Sequence, residues 1–262
     1  MPAVKSIHNF GKLSLDITEA WGRSWIFLAQ TIRSCFRLPF RLHLLTNQMY
    51  QVGVLSSIVI VLIGGFTGAV LAVQAEYSLA KFGATAFTGS AVALSLIREL
   101  GPVLTALMVI GRAGSAITAE IGIMRITEQI DALKSMAVDP INYLMVPRFI
   151  AGIIIMPLLT GVFIVIGIFG GYMVSTNLLG LSGGTFMSEM ISSVGTTDIY
   201  SGFIKAIVFG FIFGWVSCYK GYTCGFGAKG VNSATTQSVV TSSVAVLVID
   251  YFLTSILTRI FM

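Results

Sequence analysis

Arg98 and Glu99 stand side by side in Thr88–Ile110, a stretch with no other charge until Gly111-Arg112 follows it. A guanidinium beside a carboxylate can grip an anion while its neighbour balances the charge. In so apolar a run such a pair marks either a substrate path or an internal ion pair. Pro102 adds to the site, because it has no N–H to give the carbonyl of residue 98 and so frees a polar backbone group at the same level. A second candidate is Asp250, well inside the apolar run Val239–Ile260 with no base adjacent in sequence. Its partners stay open: Arg98, Arg112, or the hydroxyls of the Ser- and Thr-rich stretch Ser233–Ser243.

The elements that carry these residues follow from composition. Of 262 residues, 55% are hydrophobic and 10% charged, against about 25% charged in an ordinary soluble domain. Such a chain cannot cover a water-facing surface, so it belongs in a bilayer. Its 28 glycines fit, since small residues let membrane helices approach closely. Cys35, Cys218 and Cys224 form no CxxC pair, and His8 and His43 are far apart, so no zinc site or disulfide framework is legible.

A crossing needs about 20 mostly apolar residues. Leu42–Ala75 is uncharged and gives span one at about 52–73. Span two is about 88–110 despite Arg98 and Glu99. Phe149–Ser188 is uncharged but too long for one crossing, and Asn177, Gly180, Gly183 and Gly184 mark a turn, which sets span three at about 150–175. Spans four and five are about 201–219, with Lys205 near one end, and about 239–260. Lys and Arg number six before span one, one (Lys81) in the first loop, and four (Arg112, Arg125, Lys134, Arg148) in the second. The third loop has none, Lys220 and Lys229 lie in the fourth, and Arg259 is at the far end. The alternation predicts an N-terminus in the cytoplasm, a C-terminus outside, and therefore an odd number of spans.

Ahead of span one, Ile17, Trp21, Trp25, Leu28, Ile32 and Phe36 recur at helical steps, with Arg23, Gln30, Arg33 and Arg37 on other faces. Residues 1–45 therefore read as an amphipathic interfacial region, broken by Pro39 before the membrane domain of 46–262. No apolar run of the length of a signal peptide core precedes it. The second loop contains another amphipathic helix, expected over about 120–138, with Ile123, Ile126, Ile130, Leu133 and Ala137 on one stripe. Its polar face balances Glu128 and Asp131 against Arg125 and Lys134, a pattern that suits a protein partner better than an anionic lipid surface. Asp139-Pro140 should cap and open the next helix.

RELGPVLTALMVIGRAGSAITAEIGIMRITEQIDALKSMAVDPINYLMVPR, Arg98–Arg148, resembles the signature region of the MlaE family, also called the YrbE family, of ABC-type lipid-transport permeases. Gln48–Gln74 and Gly221–Thr254 are similar to other parts of that family. The resemblance implies an all-α polytopic permease of the bacterial inner membrane that works as a homodimer and moves phospholipid between inner and outer membranes to maintain outer-membrane asymmetry. It implies as partners a cytoplasmic ABC ATPase like MlaF, a STAS-domain protein like MlaB and a periplasmic MCE-domain hexamer like MlaD. Carried onto this chain, Glu120, Arg125, Glu128, Gln129, Ile130, Asp131, Ala132, Leu133 and Met136 would form the ATPase contact, the coupling helix. Arg98 would then meet a lipid phosphate, which guanidinium geometry suits, while Glu99 balances the charge or pairs across the dimer; a static ion pair is the competing reading. Leu71, Val73 and Tyr77 are placed to line an acyl-chain cavity, or simply to pack.

Gly225-Phe-Gly-Ala-Lys-Gly230 matches G-x-G-x-x-G, but no strand precedes it and no βαβ unit surrounds it. No phosphate-cradling G-x-x-x-x-G-K-[ST] and no H-E-x-x-H occurs. The expectation is a transporter subunit rather than an enzyme, with no cofactor of its own and ATP-Mg in the partner. The net charge of +5 is accounted for by the loops and headgroups, so nucleic acid is not implied. An ion-coupled secondary carrier using Glu99 and Asp250 is the alternative; it usually shows inverted repeats, and none is evident. The pairs Gly64/Gly68, Gly167/Gly171 and Gly210/Gly214 each fit GxxxG, a signal for close packing, a dimer seam or a gate.

Overall fold

The computed structural model describes residues 2–36 and 42–261, with side chains for 18, 19, 21–36 and 42–260. The expected break at Pro39, Arg37, and the side chains of Ile17 and His8 lie outside these. The helices are α1 (Pro2–Cys35), α2 (Leu42–Ala80), α3 (Thr85–Ile126), α4 (Gln129–Ser135), α5 (Ile141–Asn177), α6 (Gly183–Ser193), α7 (Thr196–Tyr222) and α8 (Gly227–Phe261). Among the described residues there is no strand. Among the described residues five helices, α2, α3, α5, α7 and α8, are long and apolar enough to cross a membrane. At 27 to 42 residues they exceed the hydrocarbon thickness, so their ends project beyond it.

Helix α5 is the centre, and glycines hold its neighbours against it. A Cβ built on Gly68 would overlap the carbonyl oxygen of Gly167, and one on Gly171 would come within 3.1 Å of the Gly68 oxygen. On its other side, a Cβ on Gly210 of α7 would lie 2.7 Å from the Gly152 oxygen. All three GxxxG pairs thus serve contacts within one chain. In a bilayer, where lipid is as apolar as leucine, this backbone proximity supplies the dispersion contacts that hold helices together. Ile60, Phe163, Phe209 and Phe213 fill the space between, fully buried.

Helix α3 is not a uniform α-helix. Its turn Leu96–Leu100 is widened to a π turn, with the Gly101 amide bonded to the Leu96 carbonyl. Pro102 accounts for this, because its ring would clash with the carbonyl four residues back in a regular helix. A second π turn follows at Ile110–Gly114.

The amphipathic segment expected over about 120–138 is interrupted. Helix α3 ends at Ile126, Glu128 takes a left-handed conformation (φ 59°), α4 follows, and Ala137 is again left-handed (φ 58°). The break resets the helical phase, so Ile130 is buried while Ile123 and Ala137 are exposed. Asp139 Oδ1 accepts the Ile141 amide at 3.0 Å, capping α5 as its sequence suggests. Helix α1 turns Phe27, Leu28, Thr31 and Ser34 to the bundle and leaves Trp21, Trp25, Ile26 and Ile32 exposed, a division suited to lying at the membrane surface.

Candidate intramembrane ion site

The π turn of α3 presents the successive side chains of Arg98 and Glu99 to α7, and each meets a different partner there. Asp198, in the first turn of α7, receives Arg98: Nε donates to Oδ1 at 2.7 Å, and Nη2 lies 2.6 Å from the same oxygen. Its other oxygen, Oδ2, accepts the Gly195 amide at 2.9 Å, so Asp198 also caps its own helix. Two turns further along α7 the Lys205 ammonium is 1% exposed. It donates to Glu99 Oε2 at 2.5 Å and Thr254 Oγ1 at 2.7 Å, and lies 3.1 Å from Asp250 Oδ1. Glu99 and Thr254 thus accept hydrogen bonds from the ammonium, and Asp250 adds an ion-pair contact. The Thr254 hydroxyl donates in turn to the Asp250 carbonyl at 2.9 Å.

One glycine makes the approach possible. A Cβ on Gly202, between Asp198 and Lys205, would overlap the Ile97 carbonyl, so only glycine lets α7 come this close to the widened turn of α3. Asp250 and Thr254 are one turn apart on α8 and face the same side. The network joins three helices and holds two cations against three carboxylates. Above it opens a cleft of about 80 Å³ lined by Arg98, Glu99, Asp198, Ser201, Thr254 and Thr258. Arg98 and Glu99 both face this cleft, with 39% and 42% of their side chains exposed.

Of the partners open to Asp250, none is used: neither Arg98, nor Arg112, nor the 233–243 hydroxyls. Arg112 donates instead to the Gln51 carbonyl and Ser56 Oγ, both at 2.9 Å. Among the hydroxyls, Ser238 pairs with Thr118 at 2.9 Å, tying α8 to α3. Asp198 and Lys205 were the residues that sequence reasoning missed. Their spacing of seven, with Gly202 between, puts them on one face of α7, and that periodicity was the available signal.

Leu71, Val73 and Tyr77 are not brought to this network. Val73 and Tyr77 lie on the outer face of α2, with the Lys81 ammonium 4.5 Å above the Tyr77 ring, whereas Leu71 packs inward against the core. The loop residues divide likewise. Glu120 pairs at 3.1 Å with the buried Arg148, and Arg125 donates to the Tyr222 carbonyl at the end of α7. By contrast Glu128, Gln129, Asp131, Ala132 and Met136 are exposed, Met136 at 73%, and Leu133 is half-buried. Asp131 and Lys134 pair at 2.8 Å on this surface. The hydrogen bond and charge of Lys134 hold the Asp131 carboxyl below its ordinary range.

Five bilayer-length helices around a buried ionic network define a multi-span membrane protein with an internal charged site, the class in which such charges mark transport paths or structural pairs. The family model described as Permease MlaE matches residues 45–256. The chain is 44% identical to the intermembrane phospholipid transport system permease protein MlaE of Haemophilus influenzae, over 97% of this chain and 98% of that one. It is 42% identical to a probable ABC transporter permease protein of Rickettsia bellii, with the same coverage. The chloroplastic protein TRIGALACTOSYLDIACYLGLYCEROL 1 of Arabidopsis thaliana is 36% identical over 80% of this chain and 60% of its own length. The chain belongs to the MlaE permease family.

Proposed function

We propose that this chain is the permease of an ATP-driven ABC-type transporter that moves phospholipid between the inner and outer membranes and so maintains outer-membrane lipid asymmetry. Near-full-length identity to a phospholipid transport permease carries the reading. The chain would act as a homodimer in the bacterial inner membrane, with its N-terminus cytoplasmic and its C-terminus periplasmic, as the alternation of Lys and Arg suggests. A separate cytoplasmic ATPase would bind and hydrolyse ATP-Mg, and a STAS-domain protein and a periplasmic MCE-domain hexamer would complete the assembly.

Within that frame the exposed surface of α4, centred on Glu128, Gln129, Asp131 and Met136, is the ATPase contact, and Glu120 and Arg125 support it from behind. The left-handed residues at either end of α4 fix how it is presented. Arg98, oriented by Asp198 and open to the cleft, is the group that receives a lipid phosphate. Lys205 and Asp250 fix the wall behind it, and Glu99 borders the cleft beside it.

ATP-dependent phospholipid transfer by the reconstituted complex tests these roles. Asp131→Lys should release the ATPase, while Arg98→Ala should leave the complex assembled and stop transfer. If both variants assemble and transfer normally, the placement of coupling and lipid contact fails. One observation favours a second reading: the network holds one more carboxylate than cations, as a proton- or cation-coupled carrier using Glu99 and Asp250 requires. That carrier would transport without an ATPase and stop when an ionophore dissipates the gradient.

A further inference from the structure

At the end of α7 remote from the ion network, two cavities share one lysine. The first, of about 480 Å³, is apolar and lies between α1, α7 and α8. Its α7 wall is the stripe Val208, Ile212, Trp215 and Tyr219, and α1 closes it with Trp21 and Trp25. The second, of about 240 Å³, is lined by Thr223, Ser233 and Gln237. Lys220 borders both, its Nζ 3.2 Å from Gln237 Oε1.

Helix α8 grades from one cavity to the other in steps of four residues. Ser233 and Gln237 line the polar cavity, Thr241 stands at the transition, and Ala245 and Ile249 line the apolar one. From Tyr219 to Val208 the α7 wall rises about 17 Å. That is close to half of the roughly 30 Å hydrocarbon thickness, the depth of one leaflet. No carboxylate lines either cavity, so the field at Lys220 favours an anion. An apolar slot one leaflet deep, ending in a cation and uncharged hydrogen-bonding groups, matches a single anionic amphiphile in length, polarity and charge.

We infer that this groove holds one anionic phospholipid of the surrounding bilayer, its phosphate on Lys220 and an acyl chain along Trp215. The lipid fastens α1 to the bundle, reinforcing the bond from Trp215 Nε1 to the Ser24 carbonyl at 3.2 Å and the Trp25–Trp215 ring contact at 5.0 Å. The anion-binding end of the groove is separate from the ion network, because Lys205 and Lys220 are about 22 Å apart along the axis of α7. The inference therefore stands independently of the role assigned to Arg98.

The test uses intrinsic fluorescence, because Trp21, Trp25 and Trp215 are the only tryptophans of the chain and all line the groove. The full chain is reconstituted into phosphatidylcholine vesicles carrying a minor fraction of acyl-brominated phosphatidylglycerol, or the same fraction of brominated phosphatidylcholine. Brominated phosphatidylglycerol should quench as though enriched about fivefold near the tryptophans, the effect expected of one basic residue at the surface. Lys220→Gln should bring its quenching to the phosphatidylcholine level, and Ala245→Phe, which fills the slot, should weaken quenching by both lipids. Equal quenching by the two lipids in the native chain overturns the inference, as does a preference that survives Lys220→Gln. Absence of quenching by either lipid also overturns it, and means that another surface, such as a second copy of the chain, covers the groove.

Discussion

Lys205 of α7 and Glu99 of α3 are 2.5 Å apart, and the lysine is 1% exposed. The lysine cannot be hydrated there, so its charge depends on the carboxylates around it, while Glu99 keeps one side open to the cleft.

Lys205→Met leaves Glu99 and Asp250 facing each other without a cation. Because Glu99 borders the cleft and keeps partial access to water, the loss should be about 1–3 kcal/mol, read as a lowered denaturation midpoint in detergent micelles. Adding Glu99→Gln and Asp250→Asn to that variant should recover a large part of the loss. Costs that simply add would show that the three residues do not act as one network.

Gly68 should tolerate no side chain. Gly68→Val drives a Cβ into the Gly167 carbonyl, and overpacking of this kind costs about 1–3 kcal/mol or more. Gly22 of α1 has nothing within 4 Å of an added Cβ. Gly22→Ala should therefore be neutral or stabilise by up to about 1 kcal/mol through helix propensity alone. Thermal denaturation of both variants separates packing from propensity, and equal effects would contradict the assigned α2–α5 contact.

Ala137 holds φ 58° without being glycine, a conformation that costs about 1–2 kcal/mol for an L residue. Ala137→Gly should relieve the strain and raise stability by up to about 1 kcal/mol after the entropy of glycine is subtracted. Ala137→Val, with a β-branched side chain in the same region, should lower it. Co-purification of the ATPase, measured alongside, should persist in the glycine variant.

The Asp131 carboxyl should titrate below its ordinary value of 3.8, because Lys134 stabilises the charged form. A depressed folded-state value contributes stability above the unfolded value, and this is lost as the pH falls through the folded one. Both side chains are largely exposed, so solvent screens the pair and global stability should scarcely change. NMR titration of Asp131 is the measurement, and Lys134→Ala should move the midpoint upward.

Composition and the spacing of charges carried the membrane class and the count of five spans, since a bilayer imposes a simple rule of length and apolarity on every helix. Pro102 announced a disturbed backbone beside Arg98, and Asp139-Pro140 announced a helix start. Both are local effects of covalent geometry. The amphipathic loop was legible as a helix but not its break at Glu128, because no glycine marks that left-handed turn and the apolar stripe in the sequence runs through it.

Which charges pair was decided only in three dimensions. Arg98 and Glu99 are neighbours in sequence but divide between Asp198 and Lys205, and Asp250 reaches Lys205 rather than either arginine considered for it. Sequence shows that buried charges must be neutralised, but the neutralising partner depends on which faces of α3, α7 and α8 meet. That is fixed by close glycine contacts such as Gly202 on Ile97, whose partners lie on other helices and leave no mark in the local pattern. Hydrophobicity is a property of each residue and survives in a one-dimensional reading; pairing is a property of packed surfaces and does not.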